Sequence, residues 1–122
     1  MSYSQQIQQE IQKHERLIAS NERQLAQHMI DRSLIGDCPM TINRCIYARA
    51  HMKHCQFMIQ IFNYATQRDV ARLKIAIRCM KANASDIEDS MSELAKVGDY
   101  TEQEYIEHMN RFKGEIEQWD RF

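Results

Sequence analysis

The chain has 122 residues, enough for a single domain with one continuous core, and its net charge of −1 excludes a strongly basic or acidic protein overall. Three glycines and one proline are too few for the many tight turns of a β-rich fold. The abundance of Gln, Glu, Lys, Arg, Ala, Met, Leu and Ile favours helix. The composition therefore predicts an all-α protein.

The first predicted helix spans residues 4–34 and carries a heptad seam. The seam alternates at spacings of four and three residues: Ile7, Ile11, His14, Ile18, Asn21, Leu25 and His28. One of its two columns is mostly polar, with His14, Asn21 and His28 seven residues apart. Either this column is buried, where it would fix the register and the number of partners, or it faces solvent.

The second predicted helix, residues 41–67, follows Gly36 and Pro39, which end the first helix. It has two apolar faces, whereas a helix on the outside of a monomer needs only one apolar stripe. The first face contains Ile46, Ala50, Phe57, Ile61 and Tyr64, and the opposite face contains Ala48, Met52, Cys55, Ile59 and Phe62. The helix is therefore either central in a bundle or part of a subunit interface. We predict an interface formed by four residues: Met52, Cys55, Ile59 and Phe62.

A third helix is predicted over residues 69–97, with Asp69 as its N-cap. Its apolar residues keep the three-and-four spacing throughout: Val70, Leu73, Ile77, Met80, Ala84, Ile87, Met91 and Leu94. The SDIE motif at residues 85–88 has the form of a capping box that would split this helix. The unbroken seam favours one long helix instead.

The fourth predicted helix, residues 102–119, begins after a capping box formed by Thr101 and Glu104. Its apolar residues again step by four and three: Tyr105, Met109, Phe112, Ile116 and Trp119. Four helices joined by short connections imply antiparallel neighbours. We therefore predict an elongated up-down four-helix bundle with coiled-coil-like heptad packing, formed by residues 1–122 as a single domain.

Charge is divided into blocks along the chain. Residues 41–83 carry eight basic and one acidic side chain, a net charge of +7, while residues 84–122 carry four basic and eleven acidic, a net charge of −7. A basic ridge on the third helix has the charge needed to follow a phosphate backbone. The candidate nucleic-acid contacts are the ridge residues Lys74, Arg78 and Lys81, together with Arg68 and Arg72 on another face. Alternatively, the acidic last third neutralises this block, within one chain or across a dimer.

The segment RAHMKHC at residues 49–55 contains candidate metal ligands. His51 and Cys55 lie one turn apart on the same helix face, a spacing that can chelate zinc. The set is incomplete, because Cys38, Cys79 or a second copy would have to supply the remaining ligands. The Glu-x-x-His motif of di-iron bundles does not occur in the sequence. We therefore predict no cofactor and interpret the histidines as half-buried residues beside the apolar stripes.

Arg49 and His54 have the R-x4–6-H spacing. This spacing resembles the active-site signature of the HEPN ribonucleases, which are themselves helical bundles. The resemblance implies a pair at a dimer interface, where the arginine positions the RNA phosphate and the histidine transfers protons. A polar residue usually follows the arginine in that family, whereas Ala50 follows it here. Two further pairs have the same spacing: Arg23 with His28, and Arg44 with His51.

The cysteines and the N-terminus predict a soluble, cytoplasmic protein. The cysteines include no CxxC pair, which favours reduced thiols packed as small apolar residues: Cys38, Cys45, Cys55 and Cys79. The first residues, MSYSQQIQQEIQ, are polar and lack the apolar region of a signal peptide. No apolar run approaches the length of a membrane span, so we predict no membrane partner.

These patterns favour a small non-enzymatic interaction protein: an adaptor, an assembly subunit or an inhibitor of a larger complex. Such single-domain proteins are common among phage and mobile-element accessory proteins. The expected partner is a protein, either a second copy in a homodimer or a larger complex. The alternative is a nucleic-acid-associated helical subunit that binds through the basic block at residues 44–81. A HEPN-like ribonuclease is the third hypothesis.

Overall fold

The computed structural model describes residues 1–121, which form four α helices. These are α1 (Tyr3–Ile35), α2 (Pro39–Gln67), α3 (Val70–Lys96) and α4 (Glu102–Glu117). No strand occurs within residues 1–121, so the predicted all-α four-helix bundle is confirmed. None of the described helices is both long enough and apolar enough to cross a membrane.

The helix ends follow from local capping. Gly36 ends α1 with a φ of 97°, and its amide donates to the Arg32 carbonyl at 2.9 Å. The Asp69 side chain caps α3 by accepting from the Arg72 amide at 3.1 Å, and the capping box at Thr101 opens α4 as predicted. Helix α3 continues unbroken through Ser85, so the predicted single long helix is confirmed. Helix α4 is two residues shorter than predicted.

Helix α2 is the central helix of the bundle. It packs against α1 on one side and against α3 on the other, while α4 packs against α3. Within the described chain, no Cα atom of α4 lies within 8 Å of a Cα atom of α1. In a closed up-down bundle α1 and α4 would be neighbours. The bundle is therefore open along this edge, which we call the open seam.

The core explains why α2 has two apolar faces. One cluster lies under α4 and the other between α2 and α3. The cluster under α4 contains Ala50, Ala84, Ile87, Met91, Met109 and Phe112. The cluster between α2 and α3 contains Met58, Ile61, Leu73, Ala76, Ile77 and Met80. The opposite face of α2 is covered as well, because Ala48 and Cys55 are buried. Of the two roles considered for this helix, the structure shows the central one.

The predicted α2 interface residues do not form an exposed patch. Cys55 has an exposed fraction of 0%, and Met52, Ile59 and Phe62 are half-buried. The Phe62 ring lies 6.0 Å from the His14 ring of α1 and 6.0 Å from the Trp119 ring, centre to centre. This face of α2 is therefore largely used inside the chain, and its role in partner binding stays a prediction.

Candidate functional site

The polar residues of the bundle interior converge at the open seam. They come from α1, α2 and α4 and include four of the five histidines. We call them the polar cluster: His14, Asn21, Tyr47, His51, His54, His108 and Glu115. His14 and Asn21 are buried, so the polar column of the α1 seam faces inward rather than solvent. The heptad pattern left open whether this column is buried or faces solvent, and the structure shows that His14 and Asn21 are buried.

Glu115 of α4 joins three helices through one oxygen. Its Oε1 accepts a hydrogen bond from His14 Nε2 of α1 at 3.1 Å and another from His54 Nε2 of α2 at 3.2 Å. Burial favours the protonated form of Glu115, but the bonds from the two histidines outweigh it and hold its pKa well below the usual range. Glu115 is therefore a carboxylate that fastens α4 to both α1 and α2.

His14 is positively charged in this arrangement. Its Nδ1 faces the Glu10 carbonyl at 2.7 Å while its Nε2 faces Glu115, so both ring nitrogens must donate. Burial lowers the pKa of His14, but the bonds to Glu115 and to the Glu10 carbonyl outweigh it and raise that pKa above 6.5. His14 and Glu115 thus form an ion pair across the open seam.

His51 is neutral. Asn21 Nδ2 donates to the Leu17 carbonyl and to His51 Nδ1, both at 2.8 Å, so the ring proton of His51 lies on Nε2. Burial, with a smaller contribution from His54, lowers the pKa of His51 to about 4. Asn21 and His51 therefore tie α1 to α2 without a charge.

Tyr47 forms a second connection between α2 and α4. Its hydroxyl lies 2.8 Å from Nε2 of His108, and its ring stacks on His51 with centres 5.6 Å apart. Burial raises the pKa of Tyr47, so the hydroxyl keeps its proton and donates it to His108. Burial and the nearby Arg111 lower the pKa of His108, which favours the neutral ring that can accept this bond.

The polar cluster does not match a metal centre. No group of three or more His, Cys, Asp and Glu side chains is placed to hold a metal ion anywhere in residues 1–121. The candidate ligand His51 has its Nδ1 occupied by Asn21. Burial raises the pKa of the other candidate ligand, Cys55, to about 12, which disfavours the thiolate that binds metals. The four cysteines are free thiols.

The structure does not bring Arg49 and His54 together. Residues five positions apart on a helix point about 140° away from each other. His54 is 1% exposed and bonds to Glu115, whereas Arg49 is exposed and its guanidinium lies 4.0 Å from the Met29 sulfur. The two side chains therefore lie on different sides of α2, and the ribonuclease hypothesis stays a prediction.

The predicted basic residues on α3 and at its N-terminal end are only partly neutralised. Lys81 pairs with Asp120 at 3.0 Å, and Arg72 lies 3.5 Å from Asp69. The exposed side chains of Arg68, Lys74 and Arg78 form no ion pair with any described residue. Among the five predicted nucleic-acid contacts, the acidic last third of the chain thus neutralises Lys81 alone.

Large apolar side chains are exposed at the C-terminal end of α1. Leu34 is 80% exposed and Ile35 is 72% exposed, and Met29 and Ile30 are each about half exposed. We call these four residues the α1 apolar end. The sequence interpretation missed them because the heptad seam was followed only as far as His28. The signal was the pairs Met29–Ile30 and Leu34–Ile35, which add apolar groups where an amphipathic helix would be polar.

The sequence interpretation also missed Glu115, Tyr47 and His108. Glu115 lies in a polar stripe of α4 that looks like an ordinary solvated face: His108, Arg111, Glu115 and Gln118. Only the positions of α1 and α2 reveal that this stripe faces the open seam.

Comparison with protein-family models, with curated proteins and with solved structures finds no match to this chain.

Replacing Glu115 with Gln should lower the pKa of His14. The substitution removes the charge that favours the imidazolium but leaves the burial that opposes it. We expect the His14 pKa to fall from above 6.5 to below it, as measured from the imidazole proton shifts in an NMR titration. Glu117→Gln, at an exposed position on the same helix, is the control and should not alter this titration. An unchanged His14 pKa in Glu115→Gln would contradict the ion pair.

His51 should make the fold less stable in mild acid. Its pKa is lower in the folded chain than its ordinary value of 6.5, so the unfolded chain binds the proton first as pH falls from 6.5 to about 4. At about 1.4 kcal/mol per pKa unit, this costs roughly 2 kcal/mol by pH 5. Urea denaturation at pH 7 and pH 5 should show His51→Gln losing about that much less stability than wild type. Equal losses in both proteins would show that His51 is not held neutral.

Proposed function

We propose that this chain is a small non-enzymatic protein–protein interaction module that docks through the α1 apolar end. The observation that carries this proposal is the exposure of four large apolar side chains within the last seven residues of one helix. An adaptor, an assembly subunit or an inhibitor of a larger complex would use such a surface.

The cost of exposing these side chains supports a docking role. Covering apolar surface stabilises by about 25 cal/mol per Å², and contiguous apolar patches of more than a few hundred Å² are uncommon on soluble monomers. Ile30 and Leu34 are one turn apart on the same side of α1. Both are more exposed than any residue of the predicted α2 interface. The contact surface is therefore better assigned to the end of α1 than to α2.

The edge of this surface carries a charge suited to a partner. Arg49 of α2 is exposed and contacts Met29, whereas Arg32 is already paired with Asp37 at 2.6 Å. An arginine beside apolar residues is typical of the edge of a protein interface, where it pairs with an acidic group. The partner is expected to present an apolar surface with a carboxylate at its edge. A second copy of this chain or a different protein can supply that surface.

A second candidate function is binding of nucleic acid through α3. The observation that favours it is the exposure of Arg68, Lys74 and Arg78 without an ion pair among the described residues. Lys74 and Arg78 are one turn apart, so they lie on the same side of the helix. Such a ridge supplies sequence-independent contacts to phosphates.

Leu34→Glu should disrupt association, because a charge replaces the most exposed apolar side chain of the α1 apolar end. Light scattering on wild type should give a mass above that of a monomer if the partner is a second copy. Leu34→Glu should restore the monomer and keep the circular dichroism spectrum unchanged. Ile106→Glu, at an exposed isoleucine of α4, is the matched control and should leave the association intact.

The same measurements compare α1 with α2 as the contact surface. Phe62→Glu should destabilise the fold, since Phe62 packs between His14 and Trp119. A folded, dissociated Phe62→Glu variant beside an intact Leu34→Glu assembly would place the interface on α2. If wild type is monomeric and a purified partner binds Leu34→Glu as tightly as wild type, the proposed role of the α1 apolar end is wrong.

If α3 binds nucleic acid, affinity should fall steeply with salt, and the double variant Lys74→Gln/Arg78→Gln should flatten this dependence. The slope of log affinity against log salt should shrink by about two, since each phosphate contact contributes about 0.9. Fluorescence anisotropy with a short labelled duplex measures the slope, and Lys113→Gln on α4 is the control. Absence of binding at low salt would leave the ridge to contact protein.

A further inference from the structure

The open seam contains a cleft that the proposed docking role does not use. Its walls are α1 and α4, its floor is formed mainly by α2, and its volume is about 650 Å³. Pockets that bind small molecules usually measure about 300–1,000 Å³. The cleft exists because α4 approaches α3 but not α1, so that side chains rather than helix packing bridge the gap.

The floor of the cleft is mostly apolar. Leu17, Met58, Phe62 and Phe112 line it together with the ring of Tyr47. These side chains present aromatic and aliphatic surface to anything that enters. The apolar body of a ligand would therefore lose its contact with water on this floor.

The walls of the cleft carry an uncompensated positive charge. Lys13 on α1 and Arg111 on α4 are exposed, line the cleft and form no ion pair within residues 1–121. Glu115 also lines the cleft, but His14 balances its charge. Two cations are thus opposed by the single remaining carboxylate of Glu10. The neutral ring of His51 also lines the cleft.

We propose that the cleft binds an amphipathic organic anion, meaning a small carboxylate or sulfonate with an aromatic or aliphatic body. The body lies on the floor near Phe62 and Phe112, and the anionic group lies between Lys13 and Arg111. The charge favours an anion over a neutral or cationic molecule. This proposal does not depend on the docking role of the α1 apolar end.

A helix of a partner suits this cleft less well. An amphipathic helix binds in a groove by burying an apolar stripe against apolar walls. Here the walls carry Glu10, Lys13, Arg111 and Glu115, whose charges a docked helix would remove from water. A small anion leaves the outer parts of these side chains solvated and pairs with two of them.

The test compares two fluorescent probes that share one ring system. Anilinonaphthalene sulfonate carries the anionic group, and N-phenylnaphthylamine is its uncharged counterpart. We expect the sulfonate to bind the folded full-length chain with one-to-one stoichiometry and at least about tenfold more tightly, as expected for one charge-assisted hydrogen bond. NMR spectra of the wild type should show the probe shifting the resonances of His51 and Tyr47.

Four variants locate the binding site. Lys13→Gln and Arg111→Gln should each weaken sulfonate binding several-fold and leave the uncharged probe unaffected, because each removes one positive charge from the walls. Lys53→Gln, at an exposed position of α2 that does not line the cleft, is the matched control and should change neither affinity. Leu34→Glu should also have no effect, which separates this site from the α1 apolar end.

Four outcomes would overturn the proposal. The first is equally tight binding of the two probes, and the second is sulfonate binding by Lys13→Gln and Arg111→Gln that matches wild type. Loss of probe binding in Leu34→Glu would place the probe at the α1 apolar end. A dimer that Lys13→Gln and Arg111→Gln convert to monomer would assign the cleft to a second copy of the chain.

Discussion

The buried charge of His14 is the constraint around which the open seam is arranged. An imidazolium removed from water is costly unless it is paired, and Glu115 provides the pair from the opposite wall. Because that carboxylate also accepts from His54, one side chain of α4 sets its distance from both α1 and α2. Within residues 1–121, no Cα atom of α4 lies within 8 Å of a Cα atom of α1 or α2, so side-chain contacts such as this ion pair bridge the cleft.

The polar cluster fixes the register of the helices, whereas a purely apolar seam would stabilise their association without fixing the register. Apolar side chains tolerate sliding by a helical turn, but a hydrogen bond such as that between Asn21 and His51 is made in a single register. Tyr47 and His108 apply the same restriction to α4. Within this small region His14 is charged and pairs with Glu115, whereas His51 is neutral and stacks on Tyr47, so the two histidines have distinct roles.

The local sequence pattern predicted the helices but not how the helices are positioned relative to one another. Heptad spacing and caps such as Asp69 and Thr101 are written in short stretches of sequence, so the elements and the bundle class could be predicted. The two stripes of α2 indicated a central helix as one of two options. The sequence does not encode locally how far α4 lies from α1. The role of Glu115 and the cleft therefore required the structure, as did the inward position of His14.

The two-residue turn at Arg68 and Asp69 has a consequence for how the chain folds. It joins α2 to α3 with Arg68 in the left-handed conformation, so the most extensive helix pair forms between neighbours in sequence. Contacts of low sequence separation close cheaply and favour rapid folding. Helix α4 has only 16 residues and is tied largely by side chains, so we expect it to be a separate unit that opens at low free energy. The cleft would then lie between the α2–α3 pair and the less stable α4. A molecule bound there would join the two units, so that they unfold more cooperatively.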